Sequence, residues 1–315
     1  MSKVRVCFLG TPEIAVTCLQ GLLDDEHFEV VGVITQPDKP AGRKMQLTPT
    51  PVKVLAQAKG LPVLSPLSVN VPEVQAEVRS WTAEIAIVVA FGQIVSQSFL
   101  DIFGAGCVNV HASLLPLWRG AAPIQRSIEA GDKVSGVCIQ KMVKKLDAGD
   151  VIGYRTLPID EDVTALEMLQ RMALAGVDLL KVELMDYLRG NLAALPQDES
   201  KVTYAKKLDK TESALDWSQP ALSVHNKIRA FTMGPGTWTH FKGQKLKIHR
   251  SKLLKEPLSA GQAGELKSLS DGRLIVMTGD TWLEILQLQP ESRNRLNAAE
   301  FLRGQALQKG DKFEP

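Results

Sequence analysis

Val4-Arg5-Val6-Cys7-Phe8-Leu9 is a short, β-rich apolar run that ends at Gly10-Thr11-Pro12 and gives way to a helical spacing through Ile14, Val16, Leu19, Leu22 and Leu23. The stretch reads as strand, turn, helix. The next run, Val30-Val31-Gly32-Val33-Ile34, is again strand-like, and so are 85–89 and 107–110 further on. Helical patterns over 51–59 and 71–81 lie between them. Apolar strands alternating with helices predict an α/β fold: an open, mostly parallel, doubly wound (Rossmann-like) sheet covered on both faces.

Further along, 136–140 and 151–157 add strand-like segments. Thr164-Ala165-Leu166-Glu167 has the spacing of a capping box, and the helix it starts is expected to run to Gly190. A polar stretch containing Pro196-Gln197-Asp198-Glu199-Ser200 reads as a linker, after which one helix near 221–231 precedes a series of short strands. The expected division is a first domain over 1–190, a linker over 191–207 and a smaller C-terminal β-barrel domain of the OB kind over 208–315. No internal repeat or low-complexity tract interrupts the chain.

With 315 residues and 44% hydrophobic content, the chain can build two packed cores. Its longest apolar stretches, such as 85–91, fall short of the ~18 residues needed to cross a bilayer, and no basic-then-apolar leader precedes them, so a cytoplasmic protein is expected. Cys7, Cys18, Cys107 and Cys138 are widely spaced in apolar runs and read as reduced core thiols. The five histidines show no ligand-like pairing, so no metal is expected. Charge is unevenly distributed. Up to Ala205 there are 19 Lys and Arg against 23 Asp and Glu, a net −4; after it there are 18 against 12, a net +6. Such asymmetry suggests a polyanion-binding appendage on a body with other work.

The chemistry is expected where the strand in Gly106-Cys107-Val108-Asn109-Val110-His111-Ala112-Ser113-Leu114-Leu115-Pro116 runs out. Asn109 and His111 are two apart, so in extended backbone both point to one side of the sheet, at the strand end where open α/β sheets bind ligands. An amide donor beside an imidazole is a plausible oxyanion-stabilising pair in need of a carboxylate. Asp147, in Lys145-Leu146-Asp147-Ala148-Gly149-Asp150, is a candidate; turn aspartates also cap locally, and Asp150 competes for either role. A long loop over 36–51 carries Lys39, Arg43 and Lys44, which favour an anionic partner. Lys242, Lys245, Lys247, Arg250, Lys252 and Lys255 fall within 14 residues free of acids, and on alternating strand positions Lys245, Lys247 and the offset Arg250 would face a phosphate backbone.

The order Asn109-Val110-His111-Ala112-Ser113-Leu114-Leu115-Pro116, then Leu146-Asp147-Ala148-Gly149-Asp150, resembles the folate-dependent formyltransferase family, with its Asn-x-His pair, SLLP turn and LDTGD-type loop. Gly10-Thr11-Pro12, Gln36-Pro37-Asp38, Ala41-Gly42-Arg43, Pro51-Val52-Lys53-Val54-Leu55-Ala56, Trp118-Arg119-Gly120-Ala121-Ala122-Pro123-Ile124-Gln125 and Asp216-Trp217 are similar to the branch of that family that acts on tRNA. The likeness covers nearly the whole chain. It departs from the family in Lys44-Met45-Gln46-Leu47, which lacks a glycine and a lysine, in Ala112 where glycine is common, and in Ala148 where threonine is common.

The resemblance implies that Asn109, His111 and Asp147 form the catalytic trio. It also implies that Ser113, Leu114, Leu115 and Pro116, with Val89, Phe91 and Gly92, hold the co-substrate 10-formyltetrahydrofolate. The implied acceptor is the methionine of charged initiator tRNA; from their charge and spacing Arg43, Lys44, Lys242, Lys245, Lys247 and Arg250 are expected to bind it, and the chain is expected to act as a monomer. The expected mechanism has the neutral α-amino group attack the formyl carbon while Asn109 and a His111 made more cationic by Asp147 donate to the oxyanion. Asp147, through a water, carries the proton to the leaving folate nitrogen. The rivals are a formyl transfer to an amino-sugar nucleotide or glycinamide ribonucleotide, a nucleic-acid-binding protein with a degenerate first domain, and a nicotinamide-dependent oxidoreductase. The last lacks a GxGxxG after its first strand.

Overall fold

In the computed structural model, which describes residues 3–41, 45–256, 258–305 and 307–314, the opening apolar run becomes strand β1 (Val4–Gly10) of a seven-stranded sheet. Its companions are β2 (Phe28–Ile34), β3 (Val63–Leu64), β4 (Ile85–Val89), β5 (Cys107–His111), β6 (Val134–Lys141) and β7 (Val151–Pro158), in the spatial order β7-β6-β5-β4-β1-β2-β3. From β3 to β5 all pairings are parallel; β6 and β7 return antiparallel. Val6 to Leu9 and all of β4 are buried, which is why these strands read as unbroken apolar runs rather than as alternating ones. The chain leaves β1 for β2 on one side and later returns on the other with β4. The carboxyl ends of β1 and β4 therefore flank the crevice where such sheets take ligands.

The helices follow their sequence signals closely. One spans Pro51–Ala58, with Pro51 in its first turn and the Thr50 side chain accepting from the Lys53 N–H; another spans Pro72–Ser80. The capping box forms as expected, Thr164 N–H donating to Glu167 Oε2 (2.9 Å) and Glu167 N–H to Thr164 Oγ1 (3.2 Å). Its helix, Ala165–Leu179, continues through a wider π turn at Leu180–Leu184 into Met185–Leu188, close to the expected stop at Gly190. All four cysteines are buried and unpaired, and burial pushes the thiols of Cys18, Cys107 and Cys138 up to about 12. Among the described residues no helix is long and apolar enough to cross a membrane.

A second compact unit comprises 121–133, 159–168 and the chain from Ala205 onward. Its sheet holds β8 (Thr237–Phe241), β9 (Gln244–Leu253), β10 (Leu266–Ser268), β11 (Leu274–Met277), β12 (Trp282–Pro290), β13 (Leu296–Asn297) and β14 (Phe313–Glu314). The order is β10-β11-β12-β9-β8-β14, with β13 on β12, and the paired strands run antiparallel. The sheet curls until its ends meet: Glu265 bridges Lys312, and the Phe313 N–H donates to the Gly264 carbonyl at 2.8 Å. Leu246, Ile248, Leu274, Val276, Leu283, Ile285 and Leu288 fill the interior beneath helix Ala221–Ala230.

Helix Pro123–Ala130, although it precedes β6 in the chain, belongs to this second unit. There Arg126 is forked onto Glu212 (2.8 and 2.9 Å) and also bonds Glu129 (2.7 Å). Arg229, on helix Ala221–Ala230, donates to the carbonyls of Asp160 (3.1 Å) and Val163 (3.2 Å).

Gly32 in β2 lies flat against the Trp81 ring: a Cβ there would come within 2.1 Å of it. Because Trp81 is itself in the core, the ring has little room to yield. Gly32→Ala is expected to lower stability to chemical denaturation by about 1–3 kcal/mol with an unchanged m-value; wild-type stability would mean the contact is slack.

Candidate active site

Strand β5 delivers Asn109, half-buried, and His111, buried, to one side of its carboxyl end. In the antiparallel register with β6, Asn109 stands opposite Gln140 and His111 opposite Cys138, so the Gln140 side chain shares the face of Asn109 and His111. The loop after β6 then brings back Asp147, whose φ of 46° is a left-handed conformation that aspartate tolerates better than most residues. Its carboxylate is held from two directions: Gln140 Nε2 donates to Oδ1 (2.9 Å) and the Gly120 N–H to Oδ2 (2.9 Å). His111 Nδ1 lies 3.8 Å from Asp147 Oδ1, outside hydrogen-bond range but well within electrostatic reach.

The other ring nitrogen, His111 Nε2, sits 3.2 Å from the Trp118 carbonyl. A carbonyl can only accept, so Nε2 carries the proton, and in the neutral ring Nδ1 presents a lone pair toward the carboxylate. Charging the ring would satisfy both neighbours, yet burial acts more strongly: it pushes the His111 pKa below its ordinary value, against the upward pull of Asp147 and of the Trp118 bond. The expected Asp147-driven cationic histidine is therefore corrected. The attraction exists, but desolvating an imidazolium costs more than the carboxylate returns.

Ser113 is wholly buried, and its hydroxyl is spent on the Leu117 carbonyl (2.6 Å), tying the turn together. Leu114, Leu115 and Pro116 remain half-buried beside it. Val89 and Phe91 are almost fully buried, and Phe91 packs in the core with Cys7, Val88 and Phe99. What reaches the surface after β4 is backbone: Ala90 (φ 47°) and Gly92 (φ 83°) are exposed in left-handed conformations. The Phe91 carbonyl between them accepts from Thr11 Oγ1 (3.0 Å) and Gln36 Nε2 (3.1 Å). Among the described residues no group of three or more His, Cys, Asp and Glu side chains is placed to hold a metal ion.

Sequence reasoning missed most of the supporting shell. Gln140 carries no motif of its own, and its partnership with Asp147 exists only because β6 runs antiparallel to β5. Within the motif 118–125, Trp118 (φ 62°) supplies the carbonyl for His111 and Gly120 the amide for Asp147. Arg119 between them is completely buried and bonds Gln197 and Glu199.

Of the basic residues, Arg43 and Lys44 lie outside the described residues. On β9 the register slips between Ile248 and Arg250, so the outward positions run Lys245, Lys247 and then Arg250, as the offset anticipates. Lys247 is exposed, Lys245 sits 4.1 Å from the centre of the Trp238 ring, and Arg250 is paired with Glu167. Lys242, in the β8–β9 turn, is paired with Asp311 at 3.0 Å.

Comparison with known proteins agrees with this architecture. Residues 3–183 match the model of the formyl transferase family, and residues 207–306 match that of the formyl transferase C-terminal domain. The methionyl-tRNA formyltransferase of Bdellovibrio bacteriovorus is 59% identical over 99% of both chains, and that of Geobacillus thermodenitrificans is 43% identical over 95% of this chain and 94% of its own. Two solved structures share the fold at 19% identity. WlaRD, a sugar 3N-formyl transferase, superposes with a TM-score of 0.66 over 93% of this chain and 100% of its own. HypX from Aquifex aeolicus in complex with tetrahydrofolic acid superposes with a TM-score of 0.64 over 100% of this chain and 51% of its own. An Asn, His and Asp gathered at the end of a doubly wound sheet, within a chain matched along nearly its full length, leave one assignment: the chain belongs to the formyl transferase family.

Proposed function

We propose that this protein transfers the formyl group of 10-formyltetrahydrofolate to the free α-amino group of methionyl initiator tRNA, giving formylmethionyl-tRNA for translation initiation. The observation that carries the reading is the buried His111 set 3.8 Å from an Asp147 carboxylate that is itself fixed by two donors, beside Asn109. Full-length identity to proteins named methionyl-tRNA formyltransferase supports the acceptor, as does the net +6 of the chain after Ala205. Residues 1–190 would carry the chemistry and 208–315 the RNA contacts, joined through 191–207, in a monomer working in the cytoplasm.

The exposed backbone at Ala90 and Gly92 suits the edge of a flat, hydrogen-bonding pterin, and Leu114, Leu115 and Pro116 offer it an apolar wall. Val89 and Phe91 act from the core by setting that backbone, and Ser113 by closing the turn. The folate supplies an activated formyl carbon. As the acceptor amine attacks it, the Asn109 amide donates to the formyl oxygen where negative charge gathers. The proton released by the amine passes to the His111–Asp147 pair, which is one proton short: a lone pair on Nδ1 faces a carboxylate, and an arriving proton turns that repulsion into an ion pair. The pair then returns the proton to the departing nitrogen. Lys245, Lys247 and Arg250, with Lys242 and the loop residues Arg43 and Lys44, bind the tRNA backbone.

Three outcomes follow. Asn109→Ala, His111→Ala and Asp147→Ala should each lower turnover with methionyl initiator tRNA by about 10²–10³ without unfolding the protein; near-normal formyl transfer by the folded variants would remove the assignment. Because the His111 pKa is depressed below its ordinary ~6.5, the ring is neutral at every pH above that value. Turnover should therefore climb as the acceptor amine deprotonates toward about 7.7–8.0, and a decline between pH 6.5 and 7.5 would mean that an imidazolium is required. Finally, the apparent affinity for methionyl-tRNA should fall steeply with salt, and Lys247→Ala should reduce the slope of log K against log salt by about 1; a salt-indifferent affinity would reject the basic strand as an RNA contact.

A further inference from the structure

The stretch between the last helix of the first unit and Ala205 is polar and reads as a connector, yet its side chains turn inward onto the site. Gln197 is half-buried, and its Nε2 donates to two carbonyls of the loop after β6, those of Asp147 (2.9 Å) and Gly149 (2.7 Å). Its Oε1 in turn accepts from Arg119 Nε (3.1 Å) and Nη2 (2.8 Å). Arg119 has no exposed surface, and the same Nη2 reaches Glu199 Oε1 at 2.7 Å, while Lys145 Nζ, on the catalytic loop itself, holds Glu199 Oε2 at 2.6 Å. Six residues beyond Gln197, Thr203 Oγ1 accepts from the Trp118 N–H (2.8 Å), and the Thr203 carbonyl accepts from the Arg119 N–H (2.9 Å). One segment thus grips both Trp118, whose carbonyl orients His111, and the backbone of Asp147.

We propose that Gln197, fixed by the buried guanidinium of Arg119, is a positioning residue for formyl transfer that holds the Asp147 loop in the conformation placing its carboxylate beside His111.

The physical need is specific. Asp147 and Trp118 both sit at positive φ, a region a non-glycine residue keeps only where its surroundings impose it. Gln197 supplies that constraint at Asp147 by binding the carbonyl of the left-handed residue and that of Gly149, two positions on. Gly149 has no slack of its own, since a Cβ there would stand 1.8 Å from the Lys141 carbonyl oxygen. An amide is the side chain that can do both jobs, donating twice to the loop and accepting twice from Arg119. A carboxylate at this position would still accept from Arg119 but could donate nothing to the loop.

The inference rests on the catalytic reading above, and a double-mutant cycle on the full-length enzyme separates the two. Gln197→Ala is expected to lower kcat by about 10- to 10²-fold with KM for both substrates within about twofold, as a small misplacement of a reacting group does. Gln197→Glu should lose as much, although it is isosteric and keeps the Arg119 contact. In an Asp147→Ala background the Gln197→Ala change should cost nothing further, because its effect passes through Asp147. Lys201→Ala, on the same segment but exposed and paired with Asp198, serves as the control and should retain wild-type turnover. Wild-type kcat for Gln197→Ala and Gln197→Glu beside a crippled Asp147→Ala would overturn this proposal alone. Losses that add in the double variant would overturn it too, as would a fall in thermal stability that accounts for all the lost activity. A fully active Asp147→Ala would instead sink the catalytic reading beneath it.

Discussion

The site depends on a carboxylate kept in place next to an imidazole that burial holds uncharged. Left to solvent, Asp147 would be one more turn aspartate; here the Gly120 amide and the Gln140 side chain each bind one of its oxygens. Burial lowers the proton affinity of His111, and the nearby Asp147 carboxylate opposes that shift without reversing it. This arrangement needs both a dry setting and an immobile partner. The doubly wound sheet supplies the first through the packed ends of its strands, and the segments around Arg119 supply the second.

The parts legible in the sequence were those fixed by local rules. Strands β1 and β4 announce themselves as apolar runs because both their faces are covered, and the Thr164–Glu167 capping box is a contract between residues three apart. Asn109 and His111 share a side because strands alternate. Lys245, Lys247 and the offset Arg250 were readable as one stripe from their spacing, whereas the register slip between Ile248 and Arg250 is visible only in the fold. Recognition of Asp147 needed the family motif, since nothing local separates it from Asp150.

What was not legible arises from distance along the chain. Arg119 meets Gln197 and Glu199 across 78 and 80 residues, and no pattern of polarity in 196–200 distinguishes an inward clasp from a solvated connector. The protonation state of His111 was misjudged for a related reason. A neighbouring charge can be named from a motif, whereas the depth at which a ring is buried is a property of the whole fold. The side chains of Val89 and Phe91 likewise follow from how β4 is sandwiched: their bulk is in the core, and only the main chain beside them is free to meet a ligand.

The second unit, finally, is assembled from three stretches of chain, two of which are borrowed from within the sequence of the first. Arg126 clasping Glu212, and Arg229 clasping the carbonyls of Asp160 and Val163, are internal bonds of that unit, yet each would be severed by a cut placed near residue 205. The appended barrel is therefore not a detachable module. After such a cut Arg126 would keep Glu129 as a side-chain partner, and Arg229 would keep Asn226.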